Sequence, residues 1–204
     1  MSAGYPDKYL IGLTGNIAVG KSLVRQFLVD LGAGAVDADQ VAHQVILRGG
    51  PAFDAVVKKF GADVIGADGE INRAALGKIV FANQAELQAL EAITHPFIRE
   101  RIHQLIRSAE RRVVVIEAIK LLEGDLRQVV DAVWVVKAAP ETRLKRLMSE
   151  RGLSEDIARQ RIASQNKQED KLREADVIIE NDGDVEETRQ QARRHWRDIE
   201  RRGI

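Results

Sequence analysis

Five short stretches of the chain are apolar enough to form buried strands, and amphipathic segments separate them. Short apolar runs alternating with helical segments are typical of parallel strands joined by crossover helices. The pattern therefore predicts an α/β fold, with a five-stranded parallel, doubly wound sheet flanked by helices. The predicted strands are Tyr9–Leu13, Ala33–Asp39, Arg112–Glu117, Asp131–Lys137 and Val177–Ile179.

The first predicted helix directly follows the first strand. Over Ser22–Leu31, the side chains of Leu23, Phe27, Leu28 and Leu31 share one face at helical spacing. The remaining predicted helices differ in polarity. Two helices between the fourth and fifth strands are rich in basic residues, and the last helix, Val185–Arg202, is highly charged and is expected to pack on the flank of the sheet.

The region between the second and third strands is helical and longer than a crossover requires. Helices are predicted over Arg73–Phe81 and Glu86–Ile93. The sequence Thr94-His95-Pro96 predicts a break, because proline disfavours helical angles at the preceding residue and is favoured at a helix start. We expect this region to form a helical subdomain that holds a second substrate.

The turn between the first strand and the first helix carries the most specific motif. Gly15-Asn16-Ile17-Ala18-Val19-Gly20-Lys21-Ser22 matches the phosphate-binding pattern G-x-x-x-x-G-K-[ST] without a gap. Its glycines permit backbone angles that turn N–H groups inward around an anion, and the helix N-terminus points its positive end at the same place. Lys21 is expected to reach the β- and γ-phosphates, and the Ser22 hydroxyl to bind Mg²⁺. The motif predicts a nucleoside triphosphate site.

Carboxylates stand at the ends of two other predicted strands. Asp37 and Asp39 close the second strand and Glu117 closes the third. Ligands of open parallel sheets bind at the carboxyl ends of the strands. Either aspartate could instead cap a helix beginning at Gln40, and Glu117 could be a surface residue or an acid near the Mg²⁺ shell.

A basic excess marks the helices before the fifth strand. From Arg143 to Arg173 nine lysine and arginine residues face five aspartate and glutamate residues, in a chain whose net charge is zero. Phosphoryl transfer uses cations that close over the reacting group and then leave, so a lid is predicted. The other reading of these charges is a set of ordinary solvated helix positions.

Composition narrows the function classes. The 31 basic and 31 acidic residues give no general affinity for nucleic acid, and the absence of cysteine excludes disulfides, thiolate metal sites and cysteine nucleophiles. The chain has no apolar leader and no run of membrane-spanning length. We expect a cytoplasmic protein, a monomer or weak homo-oligomer, with no nucleic-acid or membrane partner.

Several motifs, in order and spacing, resemble the dephospho-coenzyme A kinases. They cover nearly the whole chain, although Asn16, Ala18 and Val19 replace the small residues usual in the loop of that family. The matching stretches are Leu13-Thr14-Gly15 with Gly20-Lys21-Ser22, Val36–Asp39, Phe60-Gly61 with Asp68-Gly69, His95-Pro96, Pro140–Leu144, Arg161 with Gln165, and Ala175-Asp176 with Asn181.

The resemblance implies a P-loop NTPase-type fold in one domain, residues 1–204. Its core would comprise about 8–40, 112–140 and 175–204, the helical acceptor-binding insertion about 41–111, and the basic lid about 141–174. The implied reaction transfers phosphate from ATP to the ribose 3′-hydroxyl of dephospho-CoA, giving CoA and ADP.

The same resemblance, with the chemistry above, gives the candidate site residues. Asp39 is the expected general base, Lys21, Arg143 and Arg146 act on the transferring phosphate, and Ser22 and Glu117 serve the metal. Asp37, His95 and Arg161 are expected to bind the acceptor. ATP is expected to contact the loop and its flanks, namely Gly15, Asn16, Ile17, Ala18, Val19, Gly20, Lys21, Ser22, Leu23 and Asn181.

Two other functions remain possible on the sequence alone. One is a kinase of the same architecture that acts on a nucleotide or another hydroxylated metabolite. The other is a regulatory GTPase-type switch, because Asn166-Lys167-Gln168-Glu169 resembles the Asn-Lys-x-Asp guanine reader. That stretch lies in the predicted lid and ends in glutamate, which argues against the switch.

Overall fold

The computed structural model describes residues 4–124, 126–165 and 168–204. Asn166 and Lys167, which belong to the possible guanine reader and to the basic lid, lie outside the described residues. Within the described ranges, no helix combines the length and the apolar character needed to cross a membrane.

The predicted five-stranded parallel sheet is confirmed. The strands run in the order β2-β3-β1-β4-β5, with β1 in the centre and every β1 residue buried. Parallel registers pair Tyr9 with Val113 and Ile11 with Ala132, so the carboxyl ends of β1, β3 and β4 share one edge. The strands are β1 (Tyr9–Thr14), β2 (Gly34–Asp37), β3 (Val113–Glu117), β4 (Ala132–Lys137) and β5 (Val177–Glu180).

Helices connect the strands. Short 3₁₀ turns occur at Ala62–Val64 and Leu121–Glu123. The α-helices of the described chain are α1 (Lys21–Asp30), α2 (Ala38–Gln44), α3 (Phe53–Phe60), α4 (Arg73–Ala82), α5 (Gln84–Ser108), α6 (Leu126–Val129), α7 (Pro140–Arg151), α8 (Glu155–Ala163), α9 (Gln168–Arg173) and α10 (Val185–Arg201).

One hydrophobic cluster packs α1 and α10, which contact each other, against one face of the sheet. As predicted, the charged terminal helix packs on the flank of the sheet, and it contacts α1 and β5. The buried face of α1 includes Val24, which the helical spacing had missed, whereas Leu23 is only half-buried. Burying large apolar side chains contributes about 1.5–3 kcal/mol each. The cluster includes Ile11, Leu13, Val24, Leu28, Val113, Val115, Trp134, Val136, Ile179, Trp196 and Ile199.

The predicted break at Pro96 is wrong. Helix α5 is 25 residues long and runs through Pro96. Its buried residues Thr94, Ile102 and Ile106 lie on both sides of the proline. An interior proline costs about 3 kcal/mol because it removes a backbone hydrogen bond. Packing of α5 against α2, α3 and α4 offsets that cost. The Thr94 hydroxyl also donates to the Leu90 carbonyl at 2.9 Å.

Three described helices, α7 to α9, occupy the region where two basic helices were predicted. Helix α7 ends at Gly152, whose left-handed backbone (φ +62°) suits a helix C-terminus. The second break follows Ala163, after which α9 begins at Gln168. The sequence marks the first break with glycine, but it carries no glycine or proline at the second.

The chain divides into two compact units. The first contains the residues up to Val36 and those from Ala109 onward, and therefore nearly the whole sheet, helix α1 and helices α6 to α10. The second, Asp37–Ser108, is helical and nearly coincides with the range 41–111 considered as an insertion. We refer to them as the sheet unit and the helical unit.

Candidate active site

The predicted phosphate-binding loop connects β1 to α1 in the sheet unit. Gly15 and Gly20 have positive φ angles, +151° and +89°, which favour glycine. Side-chain space is lacking as well, because a Cβ on Gly15 would collide with the Val136 carbonyl and a Cβ on Gly20 with the Asn181 amide. Ala18 also has a positive φ of +60°, a strained conformation for a residue with a side chain.

Three successive carbonyls of the loop point outward onto side-chain donors. Ile17 O accepts from Arg143 Nε at 3.0 Å, Ala18 O from Arg146 Nη1 at 3.2 Å, and Val19 O from Asn181 Nδ2 at 2.7 Å. In a trans peptide the N–H points opposite to the carbonyl. The N–H groups that follow these carbonyls are therefore directed to the inner side of the loop, where they can surround an anion.

Lys21 and the start of α1 add positive charge to this concave side. Lys21 is nearly buried, and its Nζ donates to Gly15 O at 3.0 Å, across the mouth of the loop. The first turn of α1 contains no acidic residue, and Gly20 at its N-cap provides no side-chain cap. The positive end of the helix is thus left for a ligand. The arrangement suits a phosphate chain.

The structure brings Ser22 and Glu117 together, as the sequence predicted for a metal site. Ser22 Oγ donates to Glu117 Oε1 at 3.3 Å, and Glu117 is 5% exposed at the end of β3. Arg25, one turn along α1 from Ser22, pairs with Glu117 Oε2 at 2.8 Å. The ion pair holds the carboxylate beside the loop, so Glu117 is not a surface residue.

Asn181 lies next to the phosphate loop and stabilises it by hydrogen bonding. The Asn181 side chain is buried, and its Oδ1 accepts from Thr188 Oγ1 of α10 at 2.9 Å while its Nδ2 holds the loop carbonyl. Arg146 Nη2 donates to Asn181 O at 2.8 Å. The loop after β5, helix α7 and helix α10 therefore fix the same turn of the phosphate loop.

The three candidate lid arginines differ in their surroundings. Arg143 is 4% exposed, and burial lowers the pKa of its guanidinium, which stays charged because arginine titrates far above neutral pH. Arg146 is half-buried between the loop and Asn181, whereas Arg161 is exposed on α8. Arg143 and Arg146 are thus anchors of the loop, a role that the basic excess alone did not predict.

The remaining candidates lie in the helical unit. Asp37 ends β2, and its Oδ1 accepts from the Gln40 N–H at 2.9 Å as the N-cap of α2. This helix begins at Ala38, two residues before the start that the sequence had indicated. Asp39 is exposed in the first turn of α2, and His95 is exposed within α5.

Sequence reasoning missed Arg25 and Thr188, and it named Gln165 only within a matching stretch, without a role in the site. Each touches the site through a partner far away in sequence: Glu117 for Arg25, Ile17 for Gln165 and Asn181 for Thr188. A hydroxyl at position 188 of a charged helix, or an arginine on an amphipathic helix, is unremarkable in a single sequence. The available signal was the position of Arg25 one turn after the motif, on the same side of α1 as Ser22.

The close approach at Gly20 leads to a test. Gly20→Ala is expected to lose nucleotide affinity by at least about tenfold, because the added methyl would push Asn181 off the loop (about 1.4 kcal/mol per tenfold change). Gly152→Ala is the matched control, since Gly152 has a similar left-handed backbone but open space around it. Both variants should lose about 1–2 kcal/mol of stability to backbone strain. Equal nucleotide affinity in the two would contradict the steric account.

Comparisons with known proteins agree with this geometry. The family model described as dephospho-CoA kinase matches residues 9–187. A dephospho-CoA kinase of Moorella thermoacetica is 43% identical over 197 residues, covering 95% of this chain and 93% of the relative. The match thus spans both units.

Solved structures give the same relationship. A protein of Thermus thermophilus superposes with a TM-score of 0.83 at 29% identity, over 94% of this chain and 97% of its own. A dephospho-CoA kinase of Campylobacter jejuni has a TM-score of 0.60 at 30% identity, over 95% and 98% of the two chains. From the loop geometry, the family match and the extent of these similarities, the chain belongs to the dephospho-CoA kinase family.

Proposed function

We propose that this protein transfers the γ-phosphate of ATP to the ribose 3′-hydroxyl of dephospho-CoA, giving CoA and ADP. The observation that carries the proposal is the phosphate loop with inward N–H groups and Lys21, in a chain whose family acts on that acceptor. Phosphoryl transfer depends mainly on positioning and charge neutralisation. The loop, the helix N-terminus and the buried cations of the sheet unit supply both.

Magnesium fits the donors beside the loop. Mg²⁺ prefers hard oxygen ligands and is usually held by one or two side chains together with phosphates and water. The Ser22 hydroxyl and the Glu117 carboxylate, 3.3 Å apart, are such donors. The described residues contain no cluster of three His, Cys, Asp or Glu side chains that could hold a metal. Bound to Ser22 and Glu117, Mg²⁺ would neutralise charge on the β- and γ-phosphates.

The reaction needs a group that accepts the proton of the attacking hydroxyl. We assign this role to Asp39, an exposed carboxylate that follows the end of a parallel strand. The ribose oxygen forms a bond to the γ-phosphorus, the bond from that phosphorus to the β,γ-bridging oxygen breaks, and the hydroxyl proton passes to Asp39. ADP leaves with the electron pair of the broken bond.

The helical unit is proposed to bind the acceptor. It contains a cavity of about 270 Å³ with the apolar side chains of Val45, Pro51 and Phe97 beside polar and charged ones. A mixed lining suits a ligand that is partly apolar and partly polar. Asp37 and His95 of this unit, and Arg161 of α8, remain proposed acceptor ligands. Arg143 and Arg146 are proposed to act on the phosphates by their charge, across the loop whose outer carbonyls they bind. We expect the enzyme to work in the cytoplasm, as a monomer or weak homo-oligomer.

The proposal is tested by ADP release in a coupled assay with and without dephospho-CoA. We expect release to depend on dephospho-CoA and the product to be CoA, identified by mass. If dephospho-CoA has no effect, a panel of nucleotides and hydroxylated metabolites would identify another acceptor. A preference for GTP with no acceptor phosphorylated would instead indicate a regulatory switch.

A further inference from the structure

Gln165, just beyond the end of α8, closes a ring of hydrogen bonds around the third residue of the phosphate loop. Its side-chain oxygen accepts from the Ile17 N–H at 2.7 Å and from Arg143 Nη2 at 3.2 Å. Arg143 Nε in turn donates to Ile17 O at 3.0 Å. The basic region after β4 therefore holds both the N–H and the carbonyl of one loop residue.

The electrostatics of the ring are unusual for a buried arginine. Arg143 is 4% exposed, and its partners in the ring are the neutral carbonyl oxygens of Ile17 and Gln165. Among the described residues, no carboxylate lies within ion-pair distance of its guanidinium. A buried cation without a counter-charge is costly, and an incoming anion would lower that cost. Arg143 lies on the outer side of the phosphate loop, so its charge acts on nucleotide phosphates across the Ile17 peptide rather than by direct contact.

An amide at position 165 suits an arginine that must be oriented but must keep its positive charge. An amide oxygen accepts the hydrogen bonds that orient the guanidinium, but it leaves the positive charge uncompensated. A carboxylate of the same size would accept the same bonds and neutralise the arginine. An apolar side chain would leave the Ile17 N–H and the arginine without their acceptor.

We propose that Gln165 is a positioning residue, which orients the Arg143 guanidinium and the Ile17 peptide while keeping the charge of Arg143 available to the nucleotide phosphates. This inference rests on the proposed function only for the use of a nucleoside triphosphate. It does not depend on the identity of the acceptor.

The decisive variant is Gln165→Glu, read by calorimetric binding of the β,γ-imido analogue of ATP with Mg²⁺ and without acceptor. We expect a melting temperature equal to or above that of the parent protein, because a new ion pair with Arg143 forms. The affinity for the analogue is expected to fall by at least about tenfold, because that pair consumes the charge (1.4 kcal/mol per tenfold). If Gln165 had only a structural role, Gln165→Glu would change the melting temperature and the affinity for the analogue in the same direction.

Gln160→Glu is the matched control, since Gln160 is exposed on α8 and the substitution makes the same change of charge. We expect its affinity for the analogue to stay within about twofold of the parent, as solvent screens exposed charges. If Gln165→Glu binds the analogue as well as Gln160→Glu does, the proposal is overturned.

A double-mutant cycle tests whether Gln165 acts through Arg143. Gln165→Leu alone is expected to weaken analogue binding by about tenfold. In the Arg143→Met background the same substitution should change binding by less than about threefold, because the group it positions is gone. An equal loss in both backgrounds would mean that Gln165 acts independently of Arg143, and the proposal would fail. Because no step uses dephospho-CoA, a wrong acceptor assignment would not imitate either failure.

Discussion

Lys21→Ala is expected to lower kcat by at least about a hundredfold, the effect of removing one preorganised charge or donor from a transition state. Lys21 is 9% exposed, and its Nζ is held by Gly15 O at 3.0 Å over the concave side of the loop. A cation in a poorly hydrated site interacts with developing negative charge far more strongly than one in water. Phosphoryl transfer therefore loses more than ground-state binding does.

The fold should survive this substitution. Lys21 donates a hydrogen bond to Gly15 O in the loop, and such a bond is worth about 1 kcal/mol of stability. The measurement is kcat beside a melting curve, with Lys8→Ala as the control. Lys8 is likewise bound to backbone carbonyls, those of Ala109 and Arg111, but it precedes β1 at the opposite end of that strand from the loop. Near-normal turnover in Lys21→Ala would mean that the loop does not serve the transferred phosphate.

Asp39→Asn is expected to lower the transfer rate by about a hundredfold or more, the low end for loss of a general base. Asparagine keeps the size and polarity of the side chain but accepts no proton. Asp39 is exposed in the first turn of α2, where a negative charge contributes only about 0.3–1 kcal/mol. ATP binding and stability should therefore stay close to those of the parent.

Because Asp37 is the N-cap of α2, Asp37→Asn is a control for this experiment. Capping belongs to Asp37, whose carboxylate accepts from the Gln40 N–H, and asparagine caps a helix as well as aspartate does. Asp37→Asn should accordingly have a milder effect on the rate, partly restored by added Mg²⁺ if Asp37 orders the water shell of the metal. Full activity in Asp39→Asn, with the loss in Asp37→Asn or Glu117→Gln, would place the base elsewhere.

The sequence predicted those features that depend on neighbours in the chain. The sheet follows from apolar runs, and the loop from a contiguous motif with two glycines whose positive φ angles the structure shows. Glu117 could be placed beside Ser22 because the carboxyl ends of parallel strands meet at one edge. Local chemistry and one topological rule were sufficient for this part of the site.

Contacts between residues far apart in the chain could not be predicted from a single sequence. The ring of Arg143, Ile17 and Gln165 joins residues more than a hundred positions apart, as does the contact from Asn181 to Val19. No local pattern distinguishes such an arginine from a solvated one. At Pro96 the local rule was sound, but tertiary packing of α5 outweighed it. The individual roles of Asp39, His95 and Arg161 stay predictions.

The positions of the two tryptophans determine what fluorescence can report about this molecule. Trp134 on β4 and Trp196 on α10 both lie in the core of the sheet unit, and residues 37–108 contain none. Tryptophan fluorescence therefore does not report melting of the helical unit, whereas far-ultraviolet circular dichroism records the helices of both units. Two-state unfolding requires the two signals to coincide. The stability of Asp39 variants should accordingly be measured by circular dichroism, because a local loss of α2 would leave the tryptophan spectrum unchanged.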